Sequence, residues 1–428
     1  MTDTLNSASP SNRVFTVKGQ PWAELAHDMW QRRQAGKDIE WHNPHNLKAC
    51  YFAGDDVTQV SMNAYQMFYG DNLLYAGTLF PSVREMADDV IAMGLEMLNA
   101  PDGAGGTITS GGTESILLAI RAALNWARAT RPVPGTPEIV APFSIHPAFN
   151  KAASLMGLKV IRTPLVNYRG DVEAVSAAIT ENTIMIAGSA HAYPLGHVDP
   201  ITAYSELAQK HNLWLHVDAC VGGFFLPFVS DLGHEVPPFD FVVPGVRSIS
   251  ADLHKYGYTA RGASLVLLRE EQLKQYHAFN FSEWPTGTFN TPTVTGSRPT
   301  GAVASAWAVM KYLGRGGYRD RVEKTLAAKE KMVEAVTSVE GVHLCGNPEG
   351  GLISFHGDED LDMMAVRDGL TARGWHTGAV VAPPGFQMLL NYRSATIVEE
   401  FTADLTGVVS KVRTGQLSAT GTDLAYGG

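Results

Sequence analysis

Apolar residues along the 428-residue chain switch between a helical and a strand-like spacing. Trp22, Leu25, Ala26 and Trp30 recur at the three-and-four spacing that predicts a helix over 22–36. The same pattern predicts helices over 83–98, 113–129, 150–156, 201–211, 300–313 and 321–338. In 113–129, Ile116, Ile120, Ala123, Leu124 and Ala127 share a face, with Arg121 and Arg128 elsewhere. Gly314, Gly316 and Gly317 mark a helix stop. Short apolar runs between the helices predict strands at 138–142, 158–164, 183–189, 213–219, 239–243 and 263–269. Such alternation predicts an α/β fold, with a mostly parallel sheet covered on both faces. Further strands are expected at 342–345, 352–356 and 386–391. The organisation that follows is an N-terminal segment (1–75), a large domain (76–314) and a small α+β domain (315–428). Residues 40–80, rich in Asn, Gly, His and aromatics, read as irregular loops able to line a site.

Composition narrows the functional class. Hydrophobic residues make up 45% of the chain, ample for a buried core. With 33 lysines and arginines against 43 acidic residues, the formal charge is −10, which argues against nucleic acid as a partner. Cys50, Cys220 and Cys345 are far apart and form no CxxC pair, which fits a reducing compartment. No apolar run approaches the ~20 residues of a membrane span, and the first residues lack a signal-peptide stretch. A cytoplasmic enzyme acting on a small molecule is the expectation. His42, His45 and Cys50 match no zinc spacing and HExxH is absent, so no metal is expected.

Three motifs carry chemistry. Thr109-Ser110-Gly111-Gly112-Thr113-Glu114-Ser115 stands at the mouth of the 113–129 helix. Tight glycine turns and a helix N-terminus make an anion site suited to phosphate; a plain glycine turn with a Thr cap is the alternative. Neither a P-loop nor a dinucleotide fingerprint is present. Asp218 closes the apolar run Leu215-His216-Val217, where ligands sit in α/β sheets. It could face a protonated ring nitrogen or merely cap a turn. Lys255 lies among the small and apolar residues of Ser248-Ile249-Ser250-Ala251-Asp252-Leu253-His254-Lys255. Burial there would lower its pKa and leave an amine able to form a Schiff base; a solvated surface lysine is the alternative. Cys220 reads as a small packed residue.

Phosphate cradle, acid and lysine, in that order, are the parts that pyridoxal 5′-phosphate requires. The chain resembles the group II pyridoxal-phosphate-dependent decarboxylase superfamily, most closely the sphingosine-1-phosphate lyases. The resemblance rests on TSGGTESILLAIRAA (109–123), EIVAPFSIHPAFNKAAS (138–154), HVDACVGGF (216–224), SISADLHKYGYTARGASLVL (248–267) and GSRPTG (296–301). It implies the aspartate-aminotransferase-like fold (fold type I), with the cofactor on Lys255 and its ring nitrogen on Asp218. It also implies that His146 stacks on the ring and that Gly112, Thr113 and His254 hold the phosphate. In the family, the loop matching Gly296-Ser297 reaches that phosphate from a second subunit, which implies a homodimer with a shared active site.

Pyridoxal enzymes choose which bond breaks by how they grip the rest of the substrate. By this resemblance, the phosphate-gripping Tyr of the lyases matches Phe52, with Tyr51 adjacent, the His falls near Ala76, and the Lys matches Arg261. Phe and Ala cannot bond a phosphate, whereas an arginine fork suits phosphate or carboxylate. The leading expectation is a carbon–carbon lyase that cleaves a β-hydroxy amine or β-hydroxy amino acid to an aldehyde and a smaller amine. Its substrate need not be phosphorylated, and Tyr193 could serve the β-hydroxyl. The alternative is amino-acid α-decarboxylation, with Arg261 or Arg298 at the carboxylate.

Overall fold

Hydrogen bonding between distant segments gathers seven strands into one sheet in the computed structural model, which describes residues 19–420. In chain order, β1 is Gly105–Thr109, β2 Glu138–Pro142, β3 Lys159–Thr163, β4 Leu165–Val166 and β5 Arg169–Gly170; β6 is Thr183–Ser189, β7 Trp214–Asp218, β8 Val246–Ala251 and β9 Ser264–Leu268. The sheet order is β1-β9-β8-β7-β6-β2-β3. Strands β3, β2, β6, β7 and β8 run parallel, and β9 is antiparallel to both β8 and β1. The mostly parallel α/β architecture is therefore as expected. β4 and β5 pair with each other, as do β10 (Phe279–Phe281) and β11 (Phe289–Thr291).

The helices are α1 (Trp22–Ala35), α2 (Asp55–Met67), α3 (Pro81–Met97), α4 (Gly112–Thr130), α5 (Ala148–Met156), α6 (Val172–Ala177), α7 (Ile201–Lys210), α8 (Leu226–Asp231), α9 (Gly301–Thr337), α10 (Met363–Thr371) and α11 (Val398–Arg413). The chain divides into two units, Met1–Asn43 and Pro44–Gly428. In the first, α1 buries none of its residues. In the second, α4 is buried on several sides, from Ile116 to Ala127, which explains why its apolar positions outnumber one face. β12 (Val342–Leu344), β13 (Leu352–Gly357), β14 (Gly378–Val381) and β15 (Pro384–Leu389) form a separate antiparallel sheet in the order β12-β13-β15-β14. Phe355, Phe386, Trp375 and Phe401 fill its core, joined by Leu47. Leu47 exchanges backbone hydrogen bonds with His376 and Leu389, which ties the early chain to this sheet.

Four expectations need correction. The run 239–243 is a turn: Asp240 accepts the Val242 N–H at 3.0 Å, and prolines 237, 238 and 244 flank it. The strand begins at Val246 instead. β8 was hidden by its serines, which are buried because β7 offers them polar partners: Trp214 Nε1 donates to Ser248 Oγ at 2.7 Å, and Ser250 Oγ donates to Asp218 at 3.1 Å. Within 40–80, α2 is a helix that buries Val57 and Ser61, with the Ser61 hydroxyl 2.8 Å from that of Ser305. At Gly314 (φ 54°, ψ −177°) α9 breaks as glycine allows, but it resumes at once rather than at 321.

Candidate active site

The C-terminal ends of the parallel strands converge on a cavity of about 520 Å³, the usual place for a ligand in an open α/β sheet. Ser110, Gly111 and the start of α4 follow β1, and His146 follows β2. Ser189 ends β6, Asp218 ends β7, and Asp252, His254 and Lys255 follow β8. The residues expected to act on the cofactor within one chain thus meet in one place.

Local bonding fixes each of them. Asp218 Oδ1 accepts from the Cys220 N–H at 3.1 Å and from Ser250 Oγ at 3.1 Å. The neighbouring His216 ring is bracketed by Ser248 and Ser250, and burial pushes its pKa down to about 4, so it is neutral. His146 Nδ1 accepts the Ala148 N–H at 3.1 Å, and burial lowers its pKa despite the opposing Asp218 carboxylate. A flat, neutral imidazole is what stacking on an aromatic ring calls for. Cys220 is fully packed beneath the site, and burial pushes its thiol up, so the packed-residue reading holds.

Lys255 differs from expectation. Its Nζ lies 2.9 Å from Asp252 Oδ2, a carboxylate 2% exposed. Burial alone would lower the lysine, but the Asp252 carboxylate outweighs it and holds the amine well above its ordinary value. Burial pushes Asp252 the opposite way, yet Lys255 and His254 keep its pKa low. Asp252 was missed although it lies three residues before the lysine.

The arrangement fits pyridoxal 5′-phosphate. The positive end of α4 meets the cavity at Gly112 and Thr113. A Cβ on Gly112 would come within 2.7 Å of Cys220 Sγ and 2.8 Å of Asp252 Oδ1, so the close turn needs glycine. His254 has a buried Nδ1 with no partner among the described residues, available to an anion there. Glu114, in the first turn of α4, ties the cradle down: Oε2 accepts the Ser110 N–H at 2.7 Å, and Oε1 accepts the Val294 N–H at 2.9 Å.

The substrate residues fall differently. Arg261 lines the cavity, with its guanidinium 5.9 Å from the Tyr51 ring centroid. Phe52 does not line it: it is 2% exposed and packs under the Arg393 guanidinium, 3.9 Å away. Its neighbour Tyr51 lines the cavity instead. Ala76 is buried after a short turn and does not reach the cavity. Arg298 does not reach it either; its Nη1 donates to Ile108 O at 3.2 Å. Lys48, missed in the sequence, stands beside Tyr51 and Arg261. Tyr193 lines the cavity, its hydroxyl accepting from Gln387 Nε2 at 3.2 Å. Gly296 and Ser297 lie off the cavity, where the Ser297 hydroxyl accepts from Asn72 Nδ2 at 2.9 Å. Among the described residues no group of three or more metal-ligating side chains gathers, and no helix is long and apolar enough to cross a membrane.

Sheet, cradle, acid and lysine define a pyridoxal-phosphate-dependent enzyme of fold type I. The chain belongs to the pyridoxal-dependent decarboxylase family, whose conserved domain matches residues 12–357. It is 35% identical to a sphingosine-1-phosphate lyase of Dictyostelium discoideum over 386 residues, covering 89% of this chain and 72% of that one. The solved structure of a sphingosine-1-phosphate lyase of Burkholderia pseudomallei superposes with a TM-score of 0.89 at 33% identity, covering 95% of this chain and 94% of the other. A probable L-tyrosine/L-aspartate decarboxylase of Methanothermobacter thermautotrophicus is 34% identical over 333 residues, 77% of this chain and 88% of that one. The protein is a pyridoxal-phosphate-dependent carbon–carbon lyase.

Proposed function

We propose that the enzyme cleaves the Cα–Cβ bond of a β-hydroxy amine bearing an acid group, releasing an aldehyde and a smaller amine. The observation that carries this reading is the presence of Lys48 and Arg261 in the same cavity as Lys255 and Asp218. Two cations and the Tyr51 phenol replace the grip that Phe52 and Ala76 cannot supply. They suit a phosphate monoester, as in the sphingosine 1-phosphate of the relatives' names, and equally a carboxylate.

Bound at Lys255, pyridoxal phosphate supplies an electron sink for the bond that breaks. The protein supplies the rest. Asp218 keeps a proton on the ring nitrogen. His146 would pack against the bound ring, and Lys48 and Arg261 would hold the acid group of the substrate and so orient it. Tyr193, whose hydroxyl accepts from Gln387 Nε2, lines the cavity and would serve the β-oxygen. The Lys255 amine, paired with Asp252, takes and holds a proton. We further infer a homodimer in which Gly296 and Ser297 reach the partner subunit's cofactor; their position off their own cavity supports it.

Product mass spectrometry on cofactor-loaded enzyme tests the reading, using phosphorylated and unphosphorylated β-hydroxy amines, β-hydroxy amino acids and ordinary amino acids. An aldehyde product is expected, and the preferred member of each pair names the acid group. Carbon dioxide without aldehyde would overturn it in favour of α-decarboxylation, the activity in the name of the archaeal relative.

A further inference from the structure

A second cleft, of about 1070 Å³, is larger than the catalytic cavity and lies apart from it. Its walls come from the β4–β5 turn, the segment at His197, the stretch after α8, the second half of α9 and the β12–β13 connection. None of its residues serves the chemistry above.

Charges of both signs meet in the interior. Glu349, 7% exposed, faces two cations, and the buried Asp199 also acts on Arg169. Arg169 forms an ion pair with Glu349, whose second oxygen accepts the Val198 N–H at 3.2 Å. Lys329 is the other cation, and it spends one N–H on the Pro348 carbonyl. Burial lowers the Lys329 pKa to about 8, against the opposing pull of Glu349 and Glu330. Beside it stands His197, 1% exposed, and neither of its ring nitrogens has a partner among the described residues. Tyr168 stacks on that ring with centroids 5.5 Å apart. Gly346 packs closely against this ring: a Cβ there would sit 2.7 Å from His197 Nε2. Burying an unpaired imidazole costs stability, so a ligand that satisfies it is favoured there. Glu235, Glu330 and Glu334 lie exposed on the same walls.

We propose that this cleft binds a small zwitterion, with its acid group on Lys329 and His197 and its ammonium group toward Glu330 and Glu334. A simple anion would meet the interior but be repelled by the three exposed acids; a simple cation would meet the reverse. Amines carrying a carboxylate or a phosphate satisfy both ends.

Calorimetry on the cofactor-loaded enzyme tests this with N,N-dimethylglycine and phosphocholine. Neither can condense with the cofactor carbonyl, and together they separate carboxylate from phosphate. Saturable binding is expected for at least one, about tenfold tighter than acetate or inorganic phosphate. Lys329→Met should weaken it about tenfold or more while leaving the cofactor's visible absorption unchanged. Glu330→Gln leaves the Lys329 contacts in place and should weaken the zwitterion but not acetate. Arg261→Met, which alters the catalytic cavity and its KM, should leave this binding heat unchanged. Absence of saturable heat at millimolar ligand overturns the proposal, as does binding lost in Arg261→Met but kept in Lys329→Met. Equal binding of acetate and dimethylglycine overturns the assignment of the ammonium to Glu330 and Glu334.

Discussion

The Asp252 carboxylate lies 2.9 Å from the Lys255 amine, and the two charges hold each other in the wall of the catalytic cavity. Attack on a carbonyl needs the unprotonated amine. The rate of cofactor capture by Lys255 should therefore rise with pH. In Asp252→Asn that rise should begin at lower pH. Stopped-flow absorbance at several pH values checks this, and an unshifted profile would show that Asp252 does not govern the lysine. The pair also links stability to pH. The raised lysine contributes below its ordinary 10.5, and the depressed carboxylate contributes above its ordinary 3.8. Both contributions are present between those values and are lost outside them.

Asp218 should matter to chemistry more than to folding. Asp218→Asn keeps the shape but cannot hold a proton on the ring nitrogen. The expected outcome is a fall in kcat of about 10²–10⁴-fold. Circular dichroism and cofactor content should stay near wild type, and a variant that loses its cofactor instead would give Asp218 a binding role.

Arg261 and Lys48 should act on KM, and Phe52 should not. Loss of one charge-assisted contact costs about 1.5–3 kcal/mol, so Arg261→Met or Lys48→Met should raise KM about tenfold or more. Phe52→Ala removes a buried ring and should cost about 3–5 kcal/mol of stability. Steady-state kinetics and urea unfolding on the same three variants separate these roles.

Gly350 and His191 share one space. A Cβ on Gly350 would lie 2.5 Å from His191 Nε2. Gly350→Ala should destabilise by about 1–3 kcal/mol. The double variant Gly350→Ala/His191→Ala should be less destabilised than the two single variants summed, as a double-mutant cycle would show.

Buried neutral histidines should make the fold sensitive to mild acid. Burial pushes His191 to about 3 and His197, His216 and His277 to about 4. The unfolded chain binds these protons near the ordinary 6.5, so stability falls as pH drops below that value. Each group loses about 1.4 kcal/mol per pH unit until its folded value is reached. Unfolding midpoints in urea at pH 7 and pH 5.5 should differ accordingly.

Legibility in the sequence followed the chemistry of the neighbours. β6 and α4 could be read because their surroundings are apolar, so hydrophobic periodicity reports them directly. β8 could not, because Ser248 and Ser250 are buried against His216 and Trp214, a relation between strands rather than along one. The cradle, Asp218 and Lys255 stood out as local motifs, and the structure brings them together. The protonation of Lys255 was misjudged because burial was weighed without Asp252. The substrate end was misjudged because Tyr51 and Phe52 are neighbours in sequence, yet only Tyr51 lines the cavity.

Glu114 divides its two oxygens between the turn at Ser110 and the backbone of Val294 and Thr295. One side chain is thus a mechanical coupling between the phosphate cradle and the strap that leads to Gly296 and Ser297. Tension at either end is transmitted to the other. Tightening of the cradle around an anion should stiffen the strap, so its susceptibility to proteolysis should report how much cofactor the enzyme carries.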